Sequence, residues 1–307
     1  MGLNLSTKIG SLRLKNPVLV ASGTFGHAKE FEKFYSLEKL GGIITKTITV
    51  KPRLGNPPPR IVETPSGMLN AIGLQNPGVD KFIEEKLPYL RRLKIPVICS
   101  VMGYSIEEFT AVLRTLEKAG GIDGYELNLS CPNVGYQTSG SMMFAHDEGM
   151  IEDVVAAARR MTKKVLIAKL GPDVSDIGRM ASAAERAGAD AVSLINTFMA
   201  MVIDVKTRRP VLANRTGGLS GPCVRPIAVR MTWEASQKVK IPVIGIGAIM
   251  NPHAPLEVLT PGPSPIQVGT ANFMNPFASL EVLEGLEDYL KKNKIPAVKN
   301  LIGSIQL

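Results

Sequence analysis

Cysteine and histidine, from which disulfide frameworks and metal sites are built, are scarce in this sequence. The 307 residues include three cysteines, Cys99, Cys131 and Cys223, and three histidines. The cysteines have neither a paired spacing nor the spacing of a metal-binding motif. This usage is typical of a protein from a reducing cytoplasm, and we expect no bound metal.

Aromatic residues and long apolar runs are also few. Phe, Trp and Tyr make up 5% of the chain, so the stacking platforms of nucleic-acid-binding proteins are scarce, although the formal net charge is +9. No apolar run approaches the roughly 20 residues that a membrane span needs, and the amino terminus has no signal-peptide pattern. We therefore expect a cytoplasmic protein without nucleic-acid or membrane partners, whose basic residues attract a small anionic substrate or an acidic partner.

The sequence does contain a regular alternation of short β-branched runs and amphipathic stretches. It predicts a hairpin at residues 5–9 and 12–14, then strands at 18–21, 43–46, 97–100, 125–128, 166–170, 191–195, 243–246 and 266–268. Helices are predicted at 29–40, 79–93, 106–119, 147–161, 177–187, 226–238, 254–259 and 276–292. Eight such units predict an α/β fold, a (β/α)8 TIM barrel with long βα loops and a single domain over residues 1–307. No GxGxxG motif follows the first strand, which disfavours an open dinucleotide-binding sheet.

The carboxyl ends of the predicted strands carry lysines, amides and one thiol. These residues are Lys46, Asn128, Cys131, Asn133, Lys169, Asn196 and Thr197. Catalytic groups of such barrels lie at this end of the strands. The set has no carboxylate pair and no histidine, so glycosidase chemistry and a zinc site fit poorly. Lysines and amides suit a planar, anionic, hydrogen-bonding ligand.

Glycines mark the turns after the last two predicted strands. Gly247 and Ala248 follow the seventh strand, and Gly269 and Thr270 follow the eighth. Glycine lets backbone N–H groups approach a phosphate closely, and phosphates commonly bind at this face of a barrel. The two turns together predict a phosphate site. Three connections, at 47–78, 129–146 and 196–225, are long enough to indicate functional loops.

Several residues outside these sets have simpler interpretations. Cys99, inside a strand, is expected to be a buried apolar side chain, and Cys223 a loop thiol. The three histidines, His27, His146 and His253, occupy no motif and are expected at the surface or at helix caps. The Ser105–Glu108 spacing predicts a capping box at the start of the third helix.

Eight stretches of the sequence are similar to dihydroorotate dehydrogenases. They are residues 45–47, 56–60, 63–65, 69–78, 128–133, 196–197, 216–221 and 267–273, within a similarity that spans about residues 3 to 290. The IGLQNPG run at 72–78 resembles the catalytic subunit that works with an iron–sulfur flavoprotein and NAD. Fumarate-using homodimers and membrane-bound quinone-using enzymes have different local patterns.

The resemblance implies that (S)-dihydroorotate is oxidised to orotate in de novo pyrimidine (UMP) biosynthesis. Cys131 would be the base that takes the C5 proton, and FMN would take the C6 hydride. The implied substrate-binding residues are Lys46, Asn70, Ile72, Gly73, Leu74, Asn128, Asn133, Asn196 and Thr197. The implied FMN-binding residues are Ser22, Lys46, Thr47, Ser100, Asn128, Lys169, Ile195, Gly221, Gly247, Ala248, Gly269 and Thr270. Lys169 suits the electron-rich edge of the reduced flavin, where a cation stabilises negative charge.

The resemblance also implies a partner. An iron–sulfur FAD subunit, carrying FAD and a 2Fe–2S cluster, would pass the electrons to NAD. The expected assembly is a heterotetramer built on a dimer of catalytic subunits. The sequence itself has no set of cysteines of the kind that holds a cluster, in agreement with this division.

Three positions depart from the pattern of the resembled proteins. Ser100 stands where many of them have Asn, and it keeps a hydrogen-bonding group. Ala248 stands where Gly is usual, so a positive φ at this position would be strained. Pro261 falls near the end of the seventh predicted helix and would cost up to about 3 kcal/mol inside it.

Three other functions remain open on the sequence. One is another pyrimidine-reducing FMN barrel, such as a dihydropyrimidine dehydrogenase. The second is a non-redox aldolase or isomerase using Lys46 or Lys169, against which the amide-rich strand ends argue. The third is a binding subunit without activity, suggested by the proline-rich segment at 252–265.

Overall fold

A computed structural model of the chain describes residues 2–130 and 144–306. The strands of this part are β1 Thr7–Ile9, β2 Leu12–Leu14, β3 Val18–Val20, β4 Gly42–Ile44, β5 Ile61–Thr64, β6 Gly67–Asn70, β7 Val97–Val101, β8 Gly124–Asn128, β9 Val165–Lys169, β10 Ala191–Leu194, β11 Phe198–Ala200, β12 Ile203–Asp204, β13 Arg209–Pro210, β14 Gly217–Ser220, β15 Val243–Ile246 and β16 Ile266–Val268. The helices are α1 Val79–Lys81, α2 Leu87–Leu90, α3 Ile106–Ala119, α4 Glu148–Met161, α5 Ile177–Arg186, α6 Arg225–Ser236, α7 Ala254–Leu259, α8 Ala271–Met274 and α9 Ala278–Lys292.

Eight of the strands form a closed barrel in the order β3-β4-β7-β8-β9-β10-β15-β16. Neighbouring strands are parallel, and the ring closes where β16 pairs with β3, with Ile266 opposite Val18 and Val268 opposite Val20. The barrel confirms the predicted (β/α)8 fold, and each predicted barrel strand is present with its ends within two residues of the expected positions. Short β-branched runs form these strands because they pack well on a pleated surface covered by helices.

The helix predicted at residues 29–40 is wrong. The segment forms two 3-10 turns, Lys29–Phe31 and Leu37–Lys39. Ala28 before the first turn has a φ of 76°, and Ser36 before the second is extended, so neither end continues a helix. The rings of Phe25 and Phe31 stack at 3.8 Å, and this packing decides the local conformation instead of helix propensity.

The helix predicted at 79–93 is interrupted. A π-helical turn, Phe82–Lys86, joins α1 to α2, and Pro88 occupies the first turn of α2. Proline has no N–H to donate, so it is tolerated where a new helical turn begins. The helix α3 has the predicted bounds, and its Glu108 N–H donates to Ser105 Oγ at 3.3 Å. The Glu108 carboxylate accepts from the Tyr104 N–H, one residue before the usual partner in a capping box.

The barrel interior is apolar towards the amino ends of its strands. One buried cluster there contains Leu19, Ile44, Ile98, Val165, Ile167, Ala191 and Ile244, together with Ile9 and Leu14 of the β1–β2 hairpin. The hairpin therefore closes this end of the barrel. Alternate strand residues such as Tyr125 and Leu127 belong to a second cluster with Leu113 of α3 and Val154 of α4. Because side chains alternate along a strand, Glu126 between them faces the barrel interior.

Two of the long connections pair with each other. The strands β5 and β6 of the 47–78 connection join β14 and β11 of the 196–225 connection in a four-stranded antiparallel sheet, ordered β11-β14-β6-β5. We call it the cap sheet. The sequence predicted that these connections are functional, but it did not predict their pairing. Among residues 2–130 and 144–306, no helix is long and apolar enough to cross a membrane.

Cys99 and His27 are both buried. Cys99 is fully buried, as predicted, and it lies in the cluster between the barrel strands and the surrounding helices. Burial raises the pKa of its thiol to about 12. The expectation for His27 is wrong: its side chain is 7% exposed and packs 5.3 Å from the Phe82 ring. Burial lowers the pKa of His27 to about 4, with nearby Lys86 and Lys46 acting in the same direction and Glu30 against it. His146 and His253 are exposed, as predicted.

The pH dependence of stability is expected to contain a contribution from His27. Its folded-state pKa of about 4 lies below the ordinary value of 6.5, so the unfolded chain takes up the proton first as the pH falls. The free energy of unfolding should lose about 3 kcal/mol through this group between pH 6.5 and pH 4. Denaturant titrations of the wild type and His27→Met across this range measure it. An equal pH dependence in the two proteins would contradict the assignment.

Candidate active site at the carboxyl end of the barrel

Parallel strands place their carboxyl ends at one mouth of the barrel, and most of the predicted site residues lie there. Asn128 and Lys169 are the last residues of β8 and β9, and Lys46 and Thr47 follow β4. Ile195, Asn196 and Thr197 follow β10, Gly247 and Ala248 follow β15, and Gly269 and Thr270 follow β16. Ser22 follows β3, and Ser100 lies within β7.

Hydrogen bonds connect predicted residues from four strands in one continuous network. Thr47 Oγ1 and Ser100 Oγ share a hydrogen bond of 2.9 Å, and the Asn128 amide donates to Thr47 Oγ1 at 3.3 Å.

The hydrogen-bond network continues at Asn196. Its amide nitrogen donates to Asn128 Oδ1 at 3.3 Å and to the Ser130 carbonyl at 3.0 Å. Its own oxygen accepts from the Thr197 N–H at 2.8 Å, so both ends of the amide are held. Ser130, which sequence reasoning missed, donates to the Lys169 carbonyl at 3.3 Å and ties this network to β9.

Lys169 reaches across the mouth. Its Nζ donates to Ser22 Oγ at 3.3 Å, which links β9 to the residues that follow β3. The same Nζ lies 3.9 Å from Glu126 Oε1, and the Lys169 side chain is only 7% exposed. The structure therefore holds an ammonium inside the mouth between a hydroxyl and a carboxylate.

Lys46 stands at the rim of the mouth. Its backbone N–H donates to the Gly26 carbonyl at 2.9 Å, and the residue is half-buried. Burial, followed by the charge of Arg60, lowers the pKa of Lys46 below its ordinary value, and Glu30 opposes the change. An anion bound next to Lys46 would stabilise the charged form of its side chain.

The cap sheet brings Asn70 and Thr197 to one glycine. Asn70 lies opposite Gly218 in the β6–β14 pair, and its amide donates to the Gly218 carbonyl at 3.4 Å. A Cβ at Gly218 would lie 1.9 Å from Thr197 Oγ1, so no larger residue fits there. Gly218 was not identified as a site residue from the sequence, although it lies in the 216–221 stretch.

The backbone of Ile72, Gly73 and Leu74 is fixed by the neighbouring loops. The Ile72 carbonyl accepts from the Asn56 N–H at 3.0 Å, and the Leu74 carbonyl accepts from the Asn76 amide at 2.7 Å. Gly73 and Leu74 both have positive φ, 73° and 57°. These contacts hold the segment beside Asn70 of the cap sheet, rather than on a strand end of the barrel.

The predicted phosphate turns have unusual backbone. Gly247 has a φ of 140°, and a Cβ on it would lie 2.6 Å from Ala228 Cβ of α6. Ala248 has a φ of 53°. This is the positive φ that would strain an alanine at this position, as the sequence analysis noted.

Thr270, which follows β16, bonds to the residue before Gly221. Thr270 Oγ1 donates to Ser220 Oγ at 2.8 Å, which joins the end of β16 to the stretch that contains Gly221. Gly221 has a φ of 106°, and a Cβ on it would lie 2.7 Å from Gly67 Cα. Glycine is therefore required at 221 both by its conformation and by the space.

The proline-rich segment after β15 is accommodated. Pro255 lies in the first turn of α7, where its missing N–H costs nothing. The helix ends at Leu259, so Pro261 lies beyond it and the cost of an interior proline does not arise.

Cys131 and Asn133, the predicted base and one predicted substrate ligand, lie outside the described residues. In the described part of the chain, no group of three or more His, Cys, Asp or Glu side chains is placed to hold a metal ion.

The closed barrel, with polar side chains converging at the carboxyl ends of its strands, is the architecture of a TIM-barrel enzyme. Comparison with known proteins names the family: the dihydroorotate dehydrogenase model matches residues 4–290. The chain is 51% identical over 304 residues to a Geotalea daltonii protein named dihydroorotate dehydrogenase B (NAD(+)), catalytic subunit, with 99% of each chain covered. A Thermoanaerobacter protein of the same name is 48% identical over 305 residues, with 99% of this chain and 100% of the relative covered. The chain belongs to the dihydroorotate dehydrogenase family.

Replacing Ala248 with glycine is expected to stabilise the protein. The left-handed conformation at Ala248 costs about 1 kcal/mol, and glycine adopts it without this strain. Ala248→Gly should therefore raise the free energy of unfolding by about 1 kcal/mol in denaturant titrations. The matched control is Ala111→Gly inside α3, which should lower it by about 1 kcal/mol. A loss of stability in Ala248→Gly would contradict the strain at this turn.

Proposed function

We propose that this chain is the FMN-binding catalytic subunit of an NAD-linked dihydroorotate dehydrogenase. It oxidises (S)-dihydroorotate to orotate in de novo pyrimidine biosynthesis. The observation that carries the proposal is the hydrogen-bond network Ser100–Thr47–Asn128–Asn196 at the mouth, with Lys169 beside it. The choice of dihydroorotate as the substrate of these donors and acceptors follows from membership of the dihydroorotate dehydrogenase family.

The residues at the mouth fit a flavin mononucleotide. A flavin ring needs several hydrogen-bonding groups in one plane and a cation near the edge that becomes electron-rich. Thr47, Ser100 and Asn128 supply hydroxyl and amide groups, and the buried ammonium of Lys169 supplies the cation. The phosphate group is proposed to lie at the turns of Gly247 and Gly269, because glycine has no side chain to keep an anion from the backbone N–H groups. The proposed FMN site also includes Ser22, Lys46, Ile195, Gly221, Ala248 and Thr270.

The proposed substrate ligands include three side-chain amides and Lys46. The amides of Asn70, Asn128 and Asn196 match the ring N–H and carbonyl groups of dihydroorotate, and Lys46 suits its carboxylate. Thr197, the 72–74 backbone and Asn133 complete the predicted set. Burial lowers the pKa of Lys46, so binding of an anionic substrate also relieves an unfavourable buried charge.

The reaction breaks one C–H bond at C5 and one at C6 and forms the C5=C6 double bond. Cys131 takes the C5 proton on Sγ. Bound FMN would supply the acceptor for the C6 hydride. Lys169 supplies a positive charge that stabilises the negative charge developing beside it, while Asn128 and Asn196 hold the substrate plane in place.

The acceptor and the assembly complete the proposal. An iron–sulfur FAD subunit takes the electrons from this chain and passes them to NAD, in a cytoplasmic heterotetramer built on a dimer of catalytic subunits. The words "catalytic subunit" in the relatives' names support a partner. We also propose that residues 1–307 form a single domain, which the one closed barrel of the described residues supports.

A visible absorption spectrum of the purified chain tests the proposal. The spectrum should show oxidised flavin in a one-to-one ratio with the chain, and anaerobic dihydroorotate should bleach it. Uracil and dihydrouracil serve as controls and should leave the flavin unchanged, which separates this function from a dihydropyrimidine dehydrogenase. A protein that binds no flavin, or whose flavin dihydroorotate does not reduce, would overturn the proposal.

Cys131→Ala tests the base. The variant should keep FMN bound but reduce it at least about a hundredfold more slowly, the usual scale for a removed general base. Stopped-flow bleaching of the flavin by dihydroorotate measures the rate. Cys223→Ala, at an exposed cysteine, is the matched control and should react like the wild type. Unchanged flavin reduction in Cys131→Ala would refute the role.

A further inference from the structure

Glu126 is a carboxylate buried in the middle of the barrel. It lies on β8 two residues before Asn128, and its side chain is fully buried. A charged group in this position is costly unless it is paired or hydrogen-bonded. The chemistry described above gives it no task.

The two oxygens of Glu126 have different surroundings. Oε2 accepts from Ser193 Oγ at 3.0 Å and from Gln267 Nε2 at 2.8 Å. Oε1 has no hydrogen-bond partner among the described residues and lies 3.9 Å from Lys169 Nζ. Two donors from β10 and β16 therefore fix the carboxylate so that its second oxygen faces the ammonium on β9.

Lys169 depends on this carboxylate. Among the salt bridges of residues 2–130 and 144–306, Glu126 is its acidic partner, and its hydrogen bond to Ser22 Oγ is to a neutral group. A nearly buried ammonium without a counter-charge would no longer be held in the mouth.

We propose that Glu126 is a positioning residue for the flavin chemistry: it holds the Lys169 ammonium in the barrel mouth, and Ser193 and Gln267 hold Glu126. This inference rests on the proposed function, in which Lys169 stabilises the reduced flavin. Glu126 itself does not touch the cofactor or the substrate. It acts through Lys169.

The sign of the change in flavin potential separates this role from a direct effect of charge. Glu126→Gln removes a negative charge, and a direct effect through space would make the bound flavin easier to reduce. If Glu126 acts by holding Lys169, the same substitution makes the flavin harder to reduce, as Lys169→Met does.

The test is the midpoint potential of the bound flavin, measured anaerobically against a reference dye in the FMN-loaded protein. Glu126→Gln should lower the equilibrium constant for flavin reduction at least about tenfold, the usual scale for losing a nearby opposite charge. In the Lys169→Met background, adding Glu126→Gln should cause no further decrease. A higher potential in Glu126→Gln, an unchanged one, or an equal decrease in both backgrounds would overturn the proposal.

Ser193→Ala provides a second test that leaves both charges in place. It removes one of the two hydrogen bonds that orient Glu126, and it should lower the flavin potential in the same direction by a smaller amount. The matched control is Ser182→Ala on α5, whose hydroxyl donates to the Gly178 carbonyl within the same helix, and it should leave the potential unchanged. If Glu126→Gln does not fold, Ser193→Ala decides the question, and an unchanged potential in it refutes the proposal.

The wild-type protein distinguishes the two possible failures. If it binds no reducible FMN, the proposed function fails and this inference fails with it. If its flavin is reduced by dihydroorotate but its potential does not respond to Glu126 and Ser193, only the positioning role is wrong.

Discussion

Closure of the barrel between β16 and β3 is the constraint on which the site depends. Parallel pairing of Ile266–Val268 with Val18–Val20 joins the last barrel strand to the first and closes the sheet into a ring. Only in a ring can Lys169 on β9 reach Ser22 behind β3, and Gln267 on β16 reach Glu126 on β8. These contacts cross the interior, so the strand ends form one mouth with groups that converge from all sides.

The interior of the ring changes character along its axis. Near the amino ends, apolar side chains and the β1–β2 hairpin exclude water and provide a rigid base. Above them lie Glu126, Ser193, Gln267, Ser100 and Asn128, all buried. Ser193 and Gln267 donate to one oxygen of Glu126, and the second oxygen faces the Lys169 ammonium, so hydrogen bonds and one charge pair connect these buried groups. The resulting rigidity allows the mouth to hold an ammonium that solvent would otherwise surround.

Much of this could be predicted from the sequence because the signals are local. Short β-branched apolar runs predicted the eight barrel strands, and the polar residues that end these runs predicted Lys46, Asn128 and Lys169 as site residues. The cap sheet could not be predicted, since β6 and β14 are separated by about 150 residues and pair through backbone atoms. The helix at 29–40 failed because aromatic packing outweighed propensity. Glu126 carried a usable signal, a charge at an inward position of an otherwise apolar strand, two residues before Asn128.

The central claim is that flavin and substrate share the barrel mouth, with the flavin beside Lys169 and the pyrimidine ring against it. Titration of the oxidised, FMN-loaded protein with orotate, followed by the visible absorption of the flavin, tests this claim most directly. The account predicts a saturable change in the flavin spectrum with one orotate per flavin, because the product ring lies against the cofactor. Orotate binding that leaves the flavin spectrum unchanged would place the two ligands apart and contradict the account.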